Sequence, residues 1–435
     1  MEFQTLKKSH LKRNIIIGIM VTGIIGAVGL NFTRAKYQTT ESIPLVNGTV
    51  NYELSDLNLI GVYIEDGNDY TKVDQIPDSG YTFNEEKSYC KIDDEKQDVT
   101  ITYNMNTKTL NIAPMTTKGT RCYLYFDEQK TLLADAIKRD NEVNSGTPNF
   151  ANVATTDEGI YKAEDDWGES YYFRGAVDNN WVKFAGYYWR IIRINGDGSI
   201  RLIYNGTSTA TTGSSTMINS SPAFNSSYNR SEYVGYMYTT GQQHGNTTDS
   251  SIKDVLDSWY SSNLASYAEK ISTEAGFCGD REMASGSSWS SQPSSTIYYA
   301  GYGRLAQNSS SVNPTLKCSN SNDLYTTLTS SKGNKALVNP IGLITADEVV
   351  MAGLVWGESA AGNYLYTGQH YWTMSPSSFY VGSSRSYVYM FSVFSNGSLT
   401  GSNADGPYGV RPVINLSADV TVKSGNGTST TPYEI

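Results

Sequence analysis

The stretch from Tyr371 to Leu416 constrains the fold more than any other part of this chain. It is built mainly from Tyr, Ser, Gly, Asn, Phe and Val, and its only charged residues are Arg385, Asp405 and Arg411. Tyr387–Phe394 alternates like a strand and runs into Ser395–Ser398, where an Asn-Gly pair is a strong hairpin signal. The apolar segment Gly409–Leu416 reads as a final strand. The stretch therefore predicts consecutive β-strands.

The composition of this stretch has two interpretations. One is a polar all-β surface with solvated turns. The other is a ligand-binding face, because Tyr supplies rigid contact area while Ser, Gly and Asn supply adaptable hydrogen bonds, as in antibody loops. We adopt the second interpretation and predict these ligand-binding residues: Tyr380, Arg385, Tyr387, Tyr389, Asn403, Asp405 and Tyr408.

The same stretch predicts which side chains are buried. Tyr387 and Tyr389 share one side of a strand, so Val388 and Met390 are expected to face the core. Four apolar residues from the flanking segments are also assigned to the interior: Trp372, Val413, Ile414 and Leu416.

Size and charge limit the function classes. A chain of 435 residues is too long for one typical domain and predicts two or three. The net charge of −10 argues against nucleic acid as a partner. The cysteines contain no C-x-x-C spacing and only three histidines exist, which argues against a zinc site. We predict no metal and no cofactor.

The even number of cysteines suggests two disulfides in an exported chain. Proximity in sequence pairs Cys90 with Cys122 and Cys278 with Cys318. The alternative is buried free thiols.

The N-terminus predicts a membrane anchor. Lys7, Lys8, Lys12 and Arg13 precede the uncharged apolar run Ile15–Leu30. We favour an uncleaved single-pass signal anchor over a removed signal peptide, with the basic flank in the cytoplasm and the bulk of the chain extracellular. Residues 1–36 are assigned to this flank and transmembrane helix, which places the protein in the cell membrane.

The remaining chain divides into segments by pattern. Residues 46–127 read as short alternating strands of a small antiparallel sandwich, which we interpret as a spacer, with a second binding module as the alternative. Residues 128–154 hold a short helix and a linker, residues 155–422 form the ligand-binding domain, and residues 423–435 form a tail. Within the binding domain we expect a hairpin at 188–204, a long loop at 205–250 that is functional or loosely ordered, and helices at 251–260 and 345–351.

Catalytic residues are not evident. His244 lies in a polar loop and His370 adjoins Tyr371, and neither belongs to a nucleophile motif. We interpret both as solvated or partly packed histidines and predict that the chain is not an enzyme.

Five motifs in the C-terminal part resemble a known family. They are Trp189–Gly198, Val255–Tyr260, Phe277–Arg281, Tyr371–Pro376 and Gly409–Leu416. In this order they resemble the C-type-lectin-like domain of the formylglycine-generating-enzyme kind, as found on surface proteins of Gram-positive bacteria. Retroelement-diversified receptors of this kind place their variable residues in the C-terminal portion.

The resemblance implies an α+β chain: an N-terminal transmembrane helix, a small all-β immunoglobulin-like spacer and a mixed α/β C-type-lectin-like domain. It also implies a cell-surface receptor or adhesin whose partner is an extracellular protein or a glycan. Enzymes of the superfamily oxidise a cysteine with two active-site cysteines and copper, but no cysteine follows Cys318 in this chain. No Glu-Pro-Asn, Gln-Pro-Asp or Trp-Asn-Asp triplet for calcium-dependent sugar binding occurs either. An oxidase relative and a purely structural envelope protein are the alternatives.

Overall fold

The computed structural model describes residues 57–67, 69–77, 80–114, 120–218 and 220–435. The chain divides into two compact units between Lys130 and Thr131. It is mostly β-sheet, with 37% strand and 13% helix. The predicted α+β class with a mixed α/β C-terminal domain is therefore wrong.

Helices are short because their apolar stripes are short. The segments between them are rich in Ser, Thr, Asn and Gly, which favour turns over helix interiors. The α-helices of the described part are α1 (Leu133–Asp140), α2 (Ser251–Asn263), α3 (Ala300–Leu305) and α4 (Ala346–Met351). Three 3₁₀ turns are also present at Ser214–Thr216, Ser231–Val234 and Ala265–Lys270.

The predicted transmembrane segment, residues 1–36, lies outside the described residues. In the described part the longest helix, α2, has 13 residues, whereas a bilayer-spanning helix needs about 20 apolar residues. No helix there is long and apolar enough to cross a membrane. The predicted single-pass anchor and the cell-membrane localisation that rests on it are therefore not supported by the structure.

The first unit is a five-stranded sheet accompanied by a hairpin. The sheet has the order β2-β1-β7-β3-β4, in which only the β1–β7 pair is parallel. Its strands are β1 (Leu57–Asp66), β2 (Asp69–Val73), β3 (Tyr81–Ile92), β4 (Glu95–Lys96) and β7 (Thr120–Glu128). The hairpin is β5 (Thr100–Asn104) with β6 (Thr109–Ala113). Both elements contribute to one core, which contains Val62, Cys90, Ile101, Leu110, Cys122, Leu124 and Phe126.

The second unit is organised around a large sheet of order β23-β14-β13-β11-β10-β9, with β12 pairing β13 and β25. Its strands are β9 (Val143–Asn144), β10 (Asp157–Asp165), β11 (Gly168–Gly175), β12 (Trp181–Phe184), β13 (Tyr187–Ile194), β14 (Ile200–Tyr204), β23 (Val413–Leu416) and β25 (Tyr433–Glu434). β13 and β14 form the predicted hairpin. The segment predicted as a tail, 423–435, instead contributes β25 to this sheet.

A second sheet of this unit carries residues 371–403 of the stretch Tyr371–Leu416, whose last strand, β23, belongs to the large sheet. Its order is β18-β20-β21-β22, and all its pairs are antiparallel. The strands are β18 (Ile297–Tyr298), β20 (Tyr371–Val381), β21 (Ser386–Val393) and β22 (Leu399–Asn403). Smaller pairs are β15 (Met237–Tyr238) with β16 (Thr248–Asp249), β17 (Phe277–Cys278) with β19 (Leu324–Tyr325), and β8 (Thr131–Leu132) with β24 (Thr421–Val422).

Buried charges connect the two sheets of the second unit. Glu348 closes a capping box with Thr345 at the start of α4, and its carboxylate forms ion pairs with Arg193 of β13 and Arg201 of β14. Burial alone would raise the pKa of Glu348, but the two arginines hold it below its ordinary value. Next to it, Ser375 Oγ of β20 accepts a hydrogen bond from the Ala346 amide at 2.9 Å. The network therefore fixes β20 relative to the large sheet.

Both predicted disulfides are present. Cys90 and Cys122 are direct partners across β3 and β7, with a Cα–Cα distance of 4.0 Å. Cys278 and Cys318 are joined in the second unit, with a Cα–Cα distance of 5.6 Å. These bonds account for all four cysteines of the chain, so the alternative of free thiols does not hold.

Candidate ligand-binding face

Strand β21 presents its tyrosines on the side opposite to its core residues. Val388 and Met390 are fully buried, whereas Tyr387 and Tyr389 are partly exposed. The alternation expected from the sequence is therefore present in the structure. Trp372, Val413, Ile414 and Leu416 are also fully buried, in agreement with their assignment to the interior.

The pairing of the strands brings several predicted residues onto one surface. Tyr380 lies opposite Tyr387, while Tyr389 lies between Ser378 on one side and Asn403 on the other. Directly opposed residues in an antiparallel pair project from the same face. Tyr298 of β18 pairs with Ser378 and so joins this surface. We call the set Tyr298, Tyr380, Tyr387, Tyr389 and Asn403 the binding face.

Each ring of the binding face contacts another aromatic ring, within the set or next to it. Tyr380 meets Tyr389 edge-on, with ring centroids 6.3 Å apart. Tyr298 stacks on Tyr302 at 4.4 Å. Tyr380 and Tyr298 are the most exposed of the set, at 47% and 36%. The face thus offers solvent-accessible aromatic surface whose ring positions are restricted by neighbouring rings.

Two charged residues flank the binding face. Arg385 is exposed in the β20–β21 connection, and a hydrogen bond with the Tyr387 hydroxyl raises the pKa of its guanidinium. Asp405 is exposed just after β22. Burial has the largest effect in raising the pKa of Tyr389, and the neighbouring tyrosines and Asp405 raise it further. This phenol therefore stays protonated at neutral pH. The flanks therefore add one charge of each sign to a surface of neutral hydroxyls and amides.

Tyr408 is placed differently from the other six predicted residues. Its ring stacks on His370 at a centroid distance of 3.7 Å and meets Trp372 edge-on at 4.8 Å. Tyr408 therefore packs against His370 and Trp372. It does not extend the row of rings on β20 and β21.

His370 is packed and neutral. Its Nε2 lies 2.8 Å from the Ser392 hydroxyl and 3.1 Å from the Ser402 hydroxyl, and burial lowers the pKa of the imidazole to about 4. Ser392 is fully buried, so this serine–histidine contact is not accessible to a substrate. His244, in contrast, bonds the buried carboxylate of Asp323 at 3.0 Å. Both histidines are thus partly packed, as the sequence interpretation expected.

The structure adds aromatic residues that sequence reasoning missed. Tyr228 stacks on Tyr387 at 5.6 Å, and its carbonyl oxygen accepts a hydrogen bond from the Val388 amide. Tyr302 and Trp356 continue the surface towards Phe391. The ring centroids of Tyr302 and Trp356 are 5.8 Å apart, and those of Trp356 and Phe391 are 5.7 Å apart. Tyr228 lies in the long loop at 205–250, for which a functional role was one of two expectations. The others carried no local signal, because their segments reach the face only through tertiary packing.

The described residues contain no group of three or more His, Cys, Asp or Glu side chains arranged to hold a metal ion. Comparisons of the chain with protein-family models, with curated proteins and with solved structures found no match.

Proposed function

We propose that the chain is a receptor-like ligand-binding protein that recognises a protein or glycan through the binding face. The observation that carries the proposal is the side-by-side placement of Tyr380, Tyr387 and Tyr389 above fully buried neighbours. A row of aromatic rings on a rigid sheet offers contact area without the entropy loss of ordering a loop.

The polar groups around the rings suit this role. Asn403, Arg385 and Asp405 bring amide, guanidinium and carboxylate groups to the same end of strands β20, β21 and β22. Tyr and Arg are the residue types that most often dominate binding energy at interfaces. The resemblance to C-type-lectin-like receptors, and the diversification known in such receptors, remain predictions that point to the same stretch.

The experiment is a protein and glycan array probed with the chain, followed by affinity measurements on any ligand found. Tyr387→Ala and Tyr389→Ala should each weaken binding at least about tenfold, as expected for central aromatic anchors. Tyr267→Ala is the matched control, since Tyr267 is 39% exposed but packs on Phe184, outside the binding face. Equal losses in the control, or unchanged binding in both face variants, would contradict the proposal.

A further inference from the structure

A second aromatic surface lies on the first unit, outside the stretch to which the proposed function refers. The buried side chains of its sheet, such as Val62 and Leu124, alternate with partly exposed tyrosines on the opposite side. These tyrosines occupy neighbouring positions on β1, β2, β3 and β7, and we call them the tyrosine ladder: Tyr63, Tyr70, Tyr89, Tyr123 and Tyr125.

The rings of the ladder stack across the strands. Tyr63 and Tyr125 are 4.9 Å apart with planes inclined by 12°, and Tyr89 and Tyr123 are 4.9 Å apart with planes inclined by 20°. Tyr70 meets Tyr125 edge-on at 5.1 Å. Rings that stack in this way cover part of each other's faces, so the partly exposed ladder offers ring edges as well as faces to solvent. Ring edges carry the positive part of the aromatic quadrupole.

Lysine side chains reinforce this positive character. The ammonium group of Lys87 lies 4.2 Å from the ring centre of Tyr70, Lys91 lies 5.3 Å from that of Tyr123, and Lys96 lies 5.5 Å from that of Tyr89. The pairing of the strands adds Lys72 opposite Tyr63, and Arg121 opposite Lys91.

Three acidic groups beside these rings are engaged within the unit. Asp94 pairs with Lys91 at 2.7 Å, and Asp127 accepts hydrogen bonds from Tyr70 and from the Asn84 amide. Glu65 lies 3.5 Å from the Lys130 ammonium and accepts a hydrogen bond from the Glu128 amide. The five basic residues named here, Lys72, Lys87, Lys91, Lys96 and Arg121, outnumber these three acids, although Asp93 and Glu95 lie between Lys91 and Lys96 in the sequence and the chain as a whole carries a net charge of −10.

We propose that the tyrosine ladder binds an acidic polysaccharide, a sugar polymer that carries carboxylate groups. Outward ring edges and ammonium groups complement the carboxylates, and phenolic hydroxyls match the sugar hydroxyls. The tyrosine ladder shares its side of the sheet with other residues. On β1 from Gly61 to Glu65, and on β2, β3 and β7, the residues on this side are aromatic, charged, polar or glycine. These described positions of the face therefore lack the aliphatic pockets that anchor a peptide side chain.

The test measures binding of the full chain to polygalacturonate, to dextran as the neutral polysaccharide and to poly-L-glutamate as the acidic polypeptide. Binding to polygalacturonate should exceed binding to the other two and should weaken as salt is added. The double variant Lys91→Gln/Lys96→Gln should weaken it at least about fivefold. Lys335→Gln/Lys423→Gln removes the same charge from exposed positions of the other unit and should leave it unchanged.

Each other outcome overturns the proposal. Equal binding to dextran would remove the role of the carboxylates, and equal binding to poly-L-glutamate would make the partner an acidic polypeptide rather than a glycan. Equal losses in the two double variants would show that the ladder is not the site. Because the substitutions are at surface lysines, a loss of binding can be separated from unfolding by the unchanged melting temperature of the variant.

Discussion

Tyr380 lies directly opposite Tyr387 across the β20–β21 pair, and its ring meets that of Tyr389 edge-on at 6.3 Å. Tyr387 is held on its other side by the stacked ring of Tyr228. These two ring contacts restrict the rotation of Tyr380, Tyr389 and Tyr387, so a ligand would meet a surface that is already ordered. Preorganisation of this kind raises affinity because less entropy is lost on binding.

The first prediction separates the binding face from the core with two neighbouring residues. Val388→Ala should destabilise the protein by about 1–3 kcal/mol, since Val388 is fully buried and its truncation leaves a cavity. Tyr389→Ala should change the free energy of unfolding by less than about 1 kcal/mol, because its ring is partly exposed. Chemical denaturation of both variants measures the contrast, and the reverse order of severity would make Tyr389 a core residue.

Local pattern predicted the direction of side chains well. The alternation of Tyr387–Met390 follows from the geometry of a single strand, so the sequence suffices to tell the two sides apart. Proximity also predicted the pairing of Cys90 with Cys122, because these residues lie opposite each other on adjacent strands of one sheet.

Tertiary contacts could not be predicted in the same way. Tyr228 and Tyr298 reach the binding face from loops and a short strand distant in the sequence, and Tyr408 turns to His370 instead of the row of tyrosines. The helices predicted at 251–260 and 345–351 are present as Ser251–Asn263 and Ala346–Met351. They are isolated between long polar loops and form no helical layer, so they do not make the chain α+β.

The second prediction concerns the buried charge of Glu348. Glu348→Gln keeps the size of the side chain and a group able to serve in the capping box, but leaves Arg193 and Arg201 without their shared carboxylate. We expect a loss of about 3–5 kcal/mol, because buried Arg201 loses its counter-charge and buried Arg193 keeps only its pair with Asp165. Glu358→Gln is the control, since Glu358 is exposed and should change the free energy of unfolding little. Similar values for the two variants would rule out a stabilising role for the network.

The third prediction uses the opposite environments of two histidines. A hydrogen bond to Asp323 raises the pKa of His244 above 6.5, and Glu282 lies 3.5 Å from its Nε2. Its charged form therefore stabilises the fold below about pH 6.5, and this contribution disappears as the pH rises through the higher folded pKa. Burial lowers the pKa of His370 to about 4, so stability is lost as the pH falls from about 6.5 towards that value.

The measurement compares the wild-type chain with His244→Gln and with His370→Gln by urea denaturation at about pH 5 and about pH 8.5. The wild-type advantage over His244→Gln should be larger at the acidic pH, because the stabilising charged form is lost as the pH rises through the raised folded pKa. The wild-type advantage over His370→Gln should be smaller there. Trends of the same sign for both variants would contradict the assigned environments.

The last prediction concerns the C-terminal segment, which the sequence suggested to be a tail. Tyr433 is fully buried in the core of the second unit, pairs with Val182, and donates a hydrogen bond from its hydroxyl to Asp140 at 2.9 Å. Through this pairing, residues 423–435 add strand β25 to the large sheet next to β12. Tyr433→Ala should therefore destabilise the protein by about 3–5 kcal/mol, as for other large aromatic truncations in cores.

Tyr433→Phe separates the hydroxyl group from the ring. It keeps the buried aromatic surface and removes only the hydrogen bond to Asp140, so we expect a loss of about 0.5–1.5 kcal/mol. Tyr267→Phe, at an exposed position, is the matched control and should have little effect. Thermal or urea unfolding of the three variants gives the ranking directly. If Tyr433→Ala is as stable as the wild-type chain, residues 423–435 do not belong to the folded core, and the pairing of β25 with β12 contributes nothing to stability.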